Sequence, residues 1–179
     1  MIATSAHAEG GARRLVLLRH AKAEPAGSVD DVLRPLALSG RRQAPRVGEA
    51  LRSSGLVPES VLCSSALRTR QTWELLAAHL GDVEPDVLTS DVLYAAEVGD
   101  VLDLVRATDP RVRTLLVVGH EPTMAATATY LADPASDDGA LAQVRVGVPT
   151  ATYSVLESAA PWQEWDKRGS LLTYVGRPS

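Results

Sequence analysis

A chain of 179 residues, 45% hydrophobic and 22% charged, has the size and composition of one globular domain with its own core. The formal net charge of −4 removes bulk attraction to nucleic acid or an anionic membrane, so a basic pocket would have to be built locally against that background. The single cysteine, Cys63, excludes an internal disulfide and a cysteine-rich metal site, and fits a reducing cytosol.

The opening residues are small and polar, with no basic stretch followed by an apolar one. A secretory signal is therefore not expected. Residues 1–13 are expected to form a flexible extension, residues 14–179 a single domain, and the location to be cytoplasmic. Arg14 to Leu18 is a short apolar run that reads as a buried strand. Ser39 is a fair N-cap for a helix running to about Ser53, with Pro45 in its early turns. Ser60 to Cys63 reads as a second strand. Ser64 and Ser65 can cap a helix from Ala66 to Leu80, where Trp73, Leu76, Ala77 and Leu80 recur at helical spacing and Gly81 follows.

A weaker strand is expected near Asp86–Leu88 and a short helix over Gly99 to Ala107. Arg113 to Val118 is the second clear core strand, and Glu121 to Leu131 follows as a helix with Pro122 in its first turn. Asp133 to Gly139 reads as a surface loop. Val144 to Val148 and Ala151 to Leu156 read as strands divided by Pro149, and Leu171 to Val175 as the last strand. The longest apolar runs are strand-length, too short to span a membrane. Strands alternating with helices give a layered α/β fold, with a three-layer α/β/α sandwich and a mostly parallel central sheet expected.

Three strand ends carry related chemistry. Arg19 and His20 close the first core strand, Ser64 to Arg68 follows the second, and Gly119-His120-Glu121 closes the third. Ligand sites in open α/β sheets lie beyond the carboxyl ends of the strands. Helix N-termini there offer N–H groups to an anion, and guanidinium groups bind phosphate oxygens in pairs. Taken singly, a histidine after a strand is more often a capped or surface residue, and Arg68 a solvated side chain. His7 and His79 are read that way. The residues alone leave an anion site and the plainer reading side by side. No Asp/His cluster has metal-ligand spacing.

Leu17-Leu18-Arg19-His20-Ala21 resembles the signature that opens the histidine phosphatase superfamily, with Ala21 where glycine is usual. The similarity continues through Asp31-Val-Leu-Arg34-Pro-Leu36, Ser39-Gly40 and Gln43-Ala44. It returns at Ser64-Ser-Ala-Leu-Arg68-Thr-Arg-Gln71-Thr72 and again at Gly119-His120-Glu121-Pro122. Pro149-Thr150-Ala151 and the tryptophans Trp162 and Trp165, followed by Leu171 to Pro178, are similar to the small SixA-like branch of phosphohistidine phosphatases. The resemblance runs from about residue 14 to the C-terminus and implies a phosphoglycerate mutase-like fold.

It also implies a mechanism. His20 would accept the phosphoryl group, while Arg19, Arg68 and His120 would hold its oxygens, with no metal and no cofactor. Members of the phosphoglycerate mutase type commonly carry a glutamate proton donor near the segment Leu93-Tyr94-Ala95. Here Ala95 stands about there and Glu97 lies two residues on, so Glu97 is a candidate donor, Glu121 a second, and a site without a donor a third reading. A site lacking an acid favours phosphohistidine, whose protonated ring leaves readily, over a sugar phosphate, whose alkoxide does not. The expected partner is a phosphohistidine protein. A small phosphorylated metabolite, cleaved by a phosphomonoesterase, is the alternative, and a non-catalytic phosphate-binding module is a third. Mutase action would need a pocket that retains a bisphosphorylated intermediate. Nucleic-acid binding lacks a basic stripe, since Arg41, Arg42, Arg46 and Arg52 sit on one helix expected to be solvated.

Overall fold

In the strand Arg13–Arg19, Leu15 and Leu17 belong to one apolar cluster and Val16 and Leu18 to another, and all four are buried. A strand that is apolar on both faces has to be covered on both. The computed structural model, which describes residues 11–179, shows how this is done. The strands are β1 (Arg13–Arg19), β2 (Ser60–Ser64), β3 (Asp86–Ser90), β4 (Thr114–Gly119), β5 (Tyr153–Ser158) and β6 (Leu171–Gly176). The helices are α1 (Leu38–Ser53), α2 (Leu67–Ala77), α3 (Val98–Arg106), α4 (Thr123–Leu131) and α5 (Asp138–Val146).

One six-stranded sheet runs in the order β3-β2-β4-β1-β5-β6. The first four strands are parallel; β5 pairs antiparallel with β1, and β6 antiparallel with β5. Val16, Leu18, Val61, Cys63, Leu116 and Val118 pack on Val47 and Leu51 of α1 and Leu76 of α2. Leu15, Leu17, Leu62, Leu115 and Val117 pack on Val101 of α3, Ala128 of α4 and Leu141 of α5. The result is the expected three-layer α/β/α sandwich. α1 lies so close to α2 that a Cβ on Gly48 would collide with the Leu76 carbonyl. Among the described residues no helix is long and apolar enough to cross a membrane.

The register of the parallel strands prepares the site. Arg19 of β1 stands level with Gly119 of β4, and Cys63 of β2 level with Val118. The residues that leave these strands, His20, Ser64 and His120, therefore share one rim of the sheet.

One expected strand is a helix. Val144 to Val148 has the alternation of a strand, but Val144 and Val146 lie in α5, where Ala140, Leu141 and Val144 are buried while Val146 is 90% exposed. The Asp137 carboxylate starts this helix by accepting the Ala140 N–H at 2.8 Å, a side-chain cap inside the segment expected to be loop. Gly147 ends it at φ +109°, a conformation that favours glycine. The helix caps also differ from expectation: α1 starts at Leu38 after Ala37, and α2 starts at Leu67 after Ala66, neither with a side-chain cap. Pro45, expected in the early turns, sits in the interior of α1. Of the expected extension, residues 1–10, including His7, lie outside the described part, and Arg13 already belongs to β1.

Candidate active site

His20 leaves β1 and is held by the backbone on both sides. Its N–H donates to Gly119 O at 3.0 Å, and its carbonyl accepts the Ala151 N–H at 3.0 Å. The ring is 7% exposed. Nδ1 lies 2.7 Å from Ala21 O, and a carbonyl can only accept, so Nδ1 carries the proton. Nε2 keeps its lone pair and has no hydrogen-bond partner among the described residues. Burial lowers the His20 pKa from 6.5 to about 4, with Arg68, Arg19 and Arg34 pushing the same way against the Ala21 hydrogen bond. The ring is thus neutral at ordinary pH, with its free nitrogen available as a nucleophile. Ala21 itself is fully buried, and its N–H donates to Thr72 Oγ1 at 3.0 Å.

His120 leaves β4 and stands with its ring centroid 5.4 Å from that of His20, at an interplanar angle of 58°. Its Nε2 lies 2.8 Å from Ser64 Oγ and its Nδ1 3.4 Å from Arg68 Nη2. A guanidinium has no acceptor, so Nδ1 must face it unprotonated, and Nε2–H donates to Ser64. Burial, helped by His20 and Arg68, lowers the His120 pKa to about 3. The Tyr94 ring stands perpendicular to that of His120, with the centroids 5.7 Å apart.

Arg68 comes from the first turn of α2 and is 6% exposed. Its Nη1 donates to Asp31 O at 2.8 Å and its Nη2 to Asp31 Oδ2 at 3.0 Å. Arg19 donates from Nη1 to Val148 O at 2.8 Å. The Nε atoms of Arg19 and Arg68 are both buried without a partner among the described residues. Such groups are rare in folded proteins.

The structure thus brings His20, Arg68 and His120 together, with Arg19 close enough to depress both histidines. It adds residues that were quoted only as parts of motifs. Arg34 reaches the site from the loop before α1 and helps keep His20 neutral. The Asp31 carboxylate gathers the cluster: Oδ1 accepts from Arg34 Nε and Nη2 at 3.2 and 3.0 Å, and Oδ2 accepts from Tyr94 OH at 2.6 Å as well as from Arg68. The Tyr94 hydroxyl, with Arg34 and Arg68, holds the Asp31 carboxyl well below the usual carboxylate range. Asp31 and Arg34 are three residues apart in a short turn and could have been found as a charge pair beside the rim; Tyr94 carries no comparable signal.

The two candidate proton donors lie elsewhere. Glu97 is exposed at the N-cap of α3, where its own N–H donates to Asp100 Oδ2 at 2.8 Å. No hydrogen bond joins its carboxylate to either histidine. Glu121 has both oxygens engaged as acceptors, Oε1 from the Ala125 N–H at 2.8 Å and Oε2 from the Val148 N–H at 3.1 Å. Among the described residues no group of three or more His, Cys, Asp or Glu has the arrangement of a metal site.

A paired-histidine rim with three guanidinium groups at the carboxyl ends of a parallel sheet defines a class of phosphoryl-handling protein, and sequence comparison agrees. Residues 15–104 match the family described as "Histidine phosphatase superfamily (branch 1)". An uncharacterized protein of Mycobacterium tuberculosis is 38% identical over 148 residues, covering 82% of this chain and 90% of that protein. Among solved structures, the Nakamurella multipartitia protein named "Putative Phosphohistidine Phosphatase SixA" is 36% identical at TM-score 0.81, covering 94% of this chain and 97% of the other. A protein of the same name from Agrobacterium tumefaciens is 29% identical at TM-score 0.75, covering 93% and 99%. The chain belongs to the histidine phosphatase superfamily, in its SixA-like branch, with the phosphoglycerate mutase-like fold; it is a phosphatase.

Proposed function

We propose that this phosphatase removes the phosphoryl group from phosphohistidine in proteins, without a metal, through a phosphorylated His20. The observation that carries this reading is the engagement of the nearby carboxylates. Asp31 is kept ionised by Tyr94 and two arginines, and Glu121 accepts two backbone N–H groups. Neither is free to protonate an alkoxide. Such a site suits a leaving group that needs little help, and the imidazole of phosphohistidine is one. The similarity to the SixA proteins of Nakamurella and Agrobacterium supports the same substrate class.

In the first step the His20 Nε2 lone pair forms a bond to phosphorus as the P–N bond to the substrate imidazole breaks. The bond electrons go to the departing ring, which leaves neutral if it enters protonated. His20 keeps its proton on Nδ1, and Ala21 O stabilises the positive charge that the phosphorylated ring acquires. The guanidinium groups of Arg19 and Arg68 would meet the non-bridging oxygens, and Arg34 adds to the field. These charges complement those of the loose transition state and need no reorganisation when it forms. Water then breaks the phosphohistidine bond, releasing phosphate and restoring His20.

The test is turnover in EDTA by wild type and His20→Ala, on a phosphohistidine-bearing protein and a panel of phosphomonoesters. The expected result is turnover that depends on His20 and is strongest on phosphohistidine. His20-dependent turnover strongest on one small phosphate would make the chain a small-molecule phosphomonoesterase. Phosphate binding without turnover would make it a binding module.

A further inference from the structure

We propose that Glu121 is a positioning residue for Arg19 and acts on it by fixing the backbone of Val148. This rests on the reading of Arg19 as a ligand of the transferring phosphoryl group. The backbone of Val148 is held on both sides of its Cα: its N–H donates to Glu121 Oε2 at 3.1 Å, and its carbonyl, in the next peptide unit, accepts from Arg19 Nη1 at 2.8 Å. Both are hydrogen bonds to side chains that carry charge, and such bonds are stronger than neutral ones. Val148 is 6% exposed, so water competes little with either.

Glu121 is itself anchored. It follows His120 directly, and its Oε1 takes the Ala125 N–H in the first turn of α4 at 2.8 Å. On the other side Gly147 turns the chain at φ +109°, and a Cβ there would come within 3.4 Å of Glu121 Oε2. One carboxylate thus joins the start of α4, the turn after α5 and the end of β1. Its effect is to hold the Arg19 Nη1 donor on protein and so fix the guanidinium plane, with the remaining N–H groups left for the phosphoryl group. A residue so placed would be taken for a proton donor from its position beside His120. Its hydrogen bonds assign it to holding an arginine instead.

A double-mutant cycle tests this with the full chain, using phosphoramidate as the probe and kcat/KM as the readout. Glu121→Ala is expected to lower kcat/KM about tenfold or more in the wild-type background and less than about threefold in an Arg19→Ala background, the signature of two residues acting as one unit. Where Glu121→Ala fails to fold, Glu121→Gln, which keeps one acceptor oxygen, carries the same cycle. Equal losses in both backgrounds would overturn the proposal and leave Arg19 as a ligand. Loss of the basic limb of the pH profile in Glu121→Gln would overturn it in favour of a general acid. An Arg19→Ala variant as active as wild type would remove both the proposal and the ligand role of Arg19.

Discussion

Arg68 is tied to Asp31 twice, once through the backbone carbonyl at 2.8 Å and once through the carboxylate at 3.0 Å. The second contact closes a ring of charges, because the same carboxylate holds Arg34 and Tyr94. Asp31 is the internal counterion of a site built to receive an anion, and it leaves the arginines aligned but only partly neutralised.

Asp31 also makes the cluster sensitive to acid. Its folded pKa lies below the ordinary 3.8, chiefly through the Tyr94 hydroxyl and then the two arginines. A depressed carboxyl pKa contributes stability that is fully present above the unfolded value and is lost as pH falls through the folded one. The expected outcome is that wild type loses more stability than Asp31→Asn as pH falls below about 4. Thermal melts of the two proteins across that range would show it. The carboxylate is half-exposed, which keeps the effect modest. Parallel curves would mean that Asp31 gains nothing from its partners.

Some of this site is legible in the sequence and some is not, for physical reasons. His20 and His120 stand out because each ends an unbroken apolar run, and such runs are buried parallel strands with ligands at their carboxyl ends. What the runs do not reveal is register, and the pairing of Arg19 with Gly119 is what brings the two rings within 5.4 Å. Asp31 and Tyr94 sit in short 3-10 turns and Arg34 just after one, segments too short to show a periodicity, and Tyr94 meets Asp31 across 63 positions of sequence. α5 is misread because Val144, Val146 and Val148 alternate as a strand would. The Asp137 cap starts a helix before that pattern begins, and burial of Ala140, Leu141 and Val144 outweighs the β-propensity of valine.

The protonation of His20 gives a second prediction. Its pKa is lowered from 6.5 to about 4, first by burial and then by Arg68, Arg19 and Arg34. Attack needs the neutral ring, so activity should persist as pH falls through 6.5 and decline only near 4. An NMR titration of the His20 ring, with its signal assigned by its absence in His20→Ala, separates this group from titration of the substrate. Stability follows the same shift. Between 4 and 6.5 the unfolded chain binds a proton that the folded one refuses, so stability falls as pH falls across that window. His120, lowered to about 3, adds to the same slope, so His20→Asn should lessen it without removing it. A ring that titrates near 6.5 would mean that the site is wetter and less cationic than its geometry implies.

The pairing of His120 with Ser64 leads to the third. In the resting site Nε2–H of His120 donates to Ser64 Oγ at 2.8 Å, and Nδ1 faces Arg68 without a proton. A proton on Nδ1 would confront the guanidinium, and the pKa is accordingly about 3, lowered by burial before any charge. A phosphoryl oxygen arriving between the two groups reverses this. It screens Arg68 and offers Nδ1–H an acceptor, so the bound state favours the protonated ring. Binding of a dianion is then coupled to uptake of up to about one proton, and affinity should weaken as pH rises. Sulfate is the suitable probe, because it stays dianionic through the neutral range where phosphate titrates. Calorimetry in buffers of different ionisation enthalpy reads the uptake directly, and His120→Asn should abolish it while sulfate still binds. Ser64→Ala tests the other end of the ring. It leaves the partly buried Nε2–H without its acceptor and should lower stability by about 1 kcal/mol in chemical denaturation. Sulfate binding without proton uptake in wild type would show that His120 stays neutral in the complex. It would then leave Arg19, Arg34 and Arg68 to meet the whole charge of the transferring group.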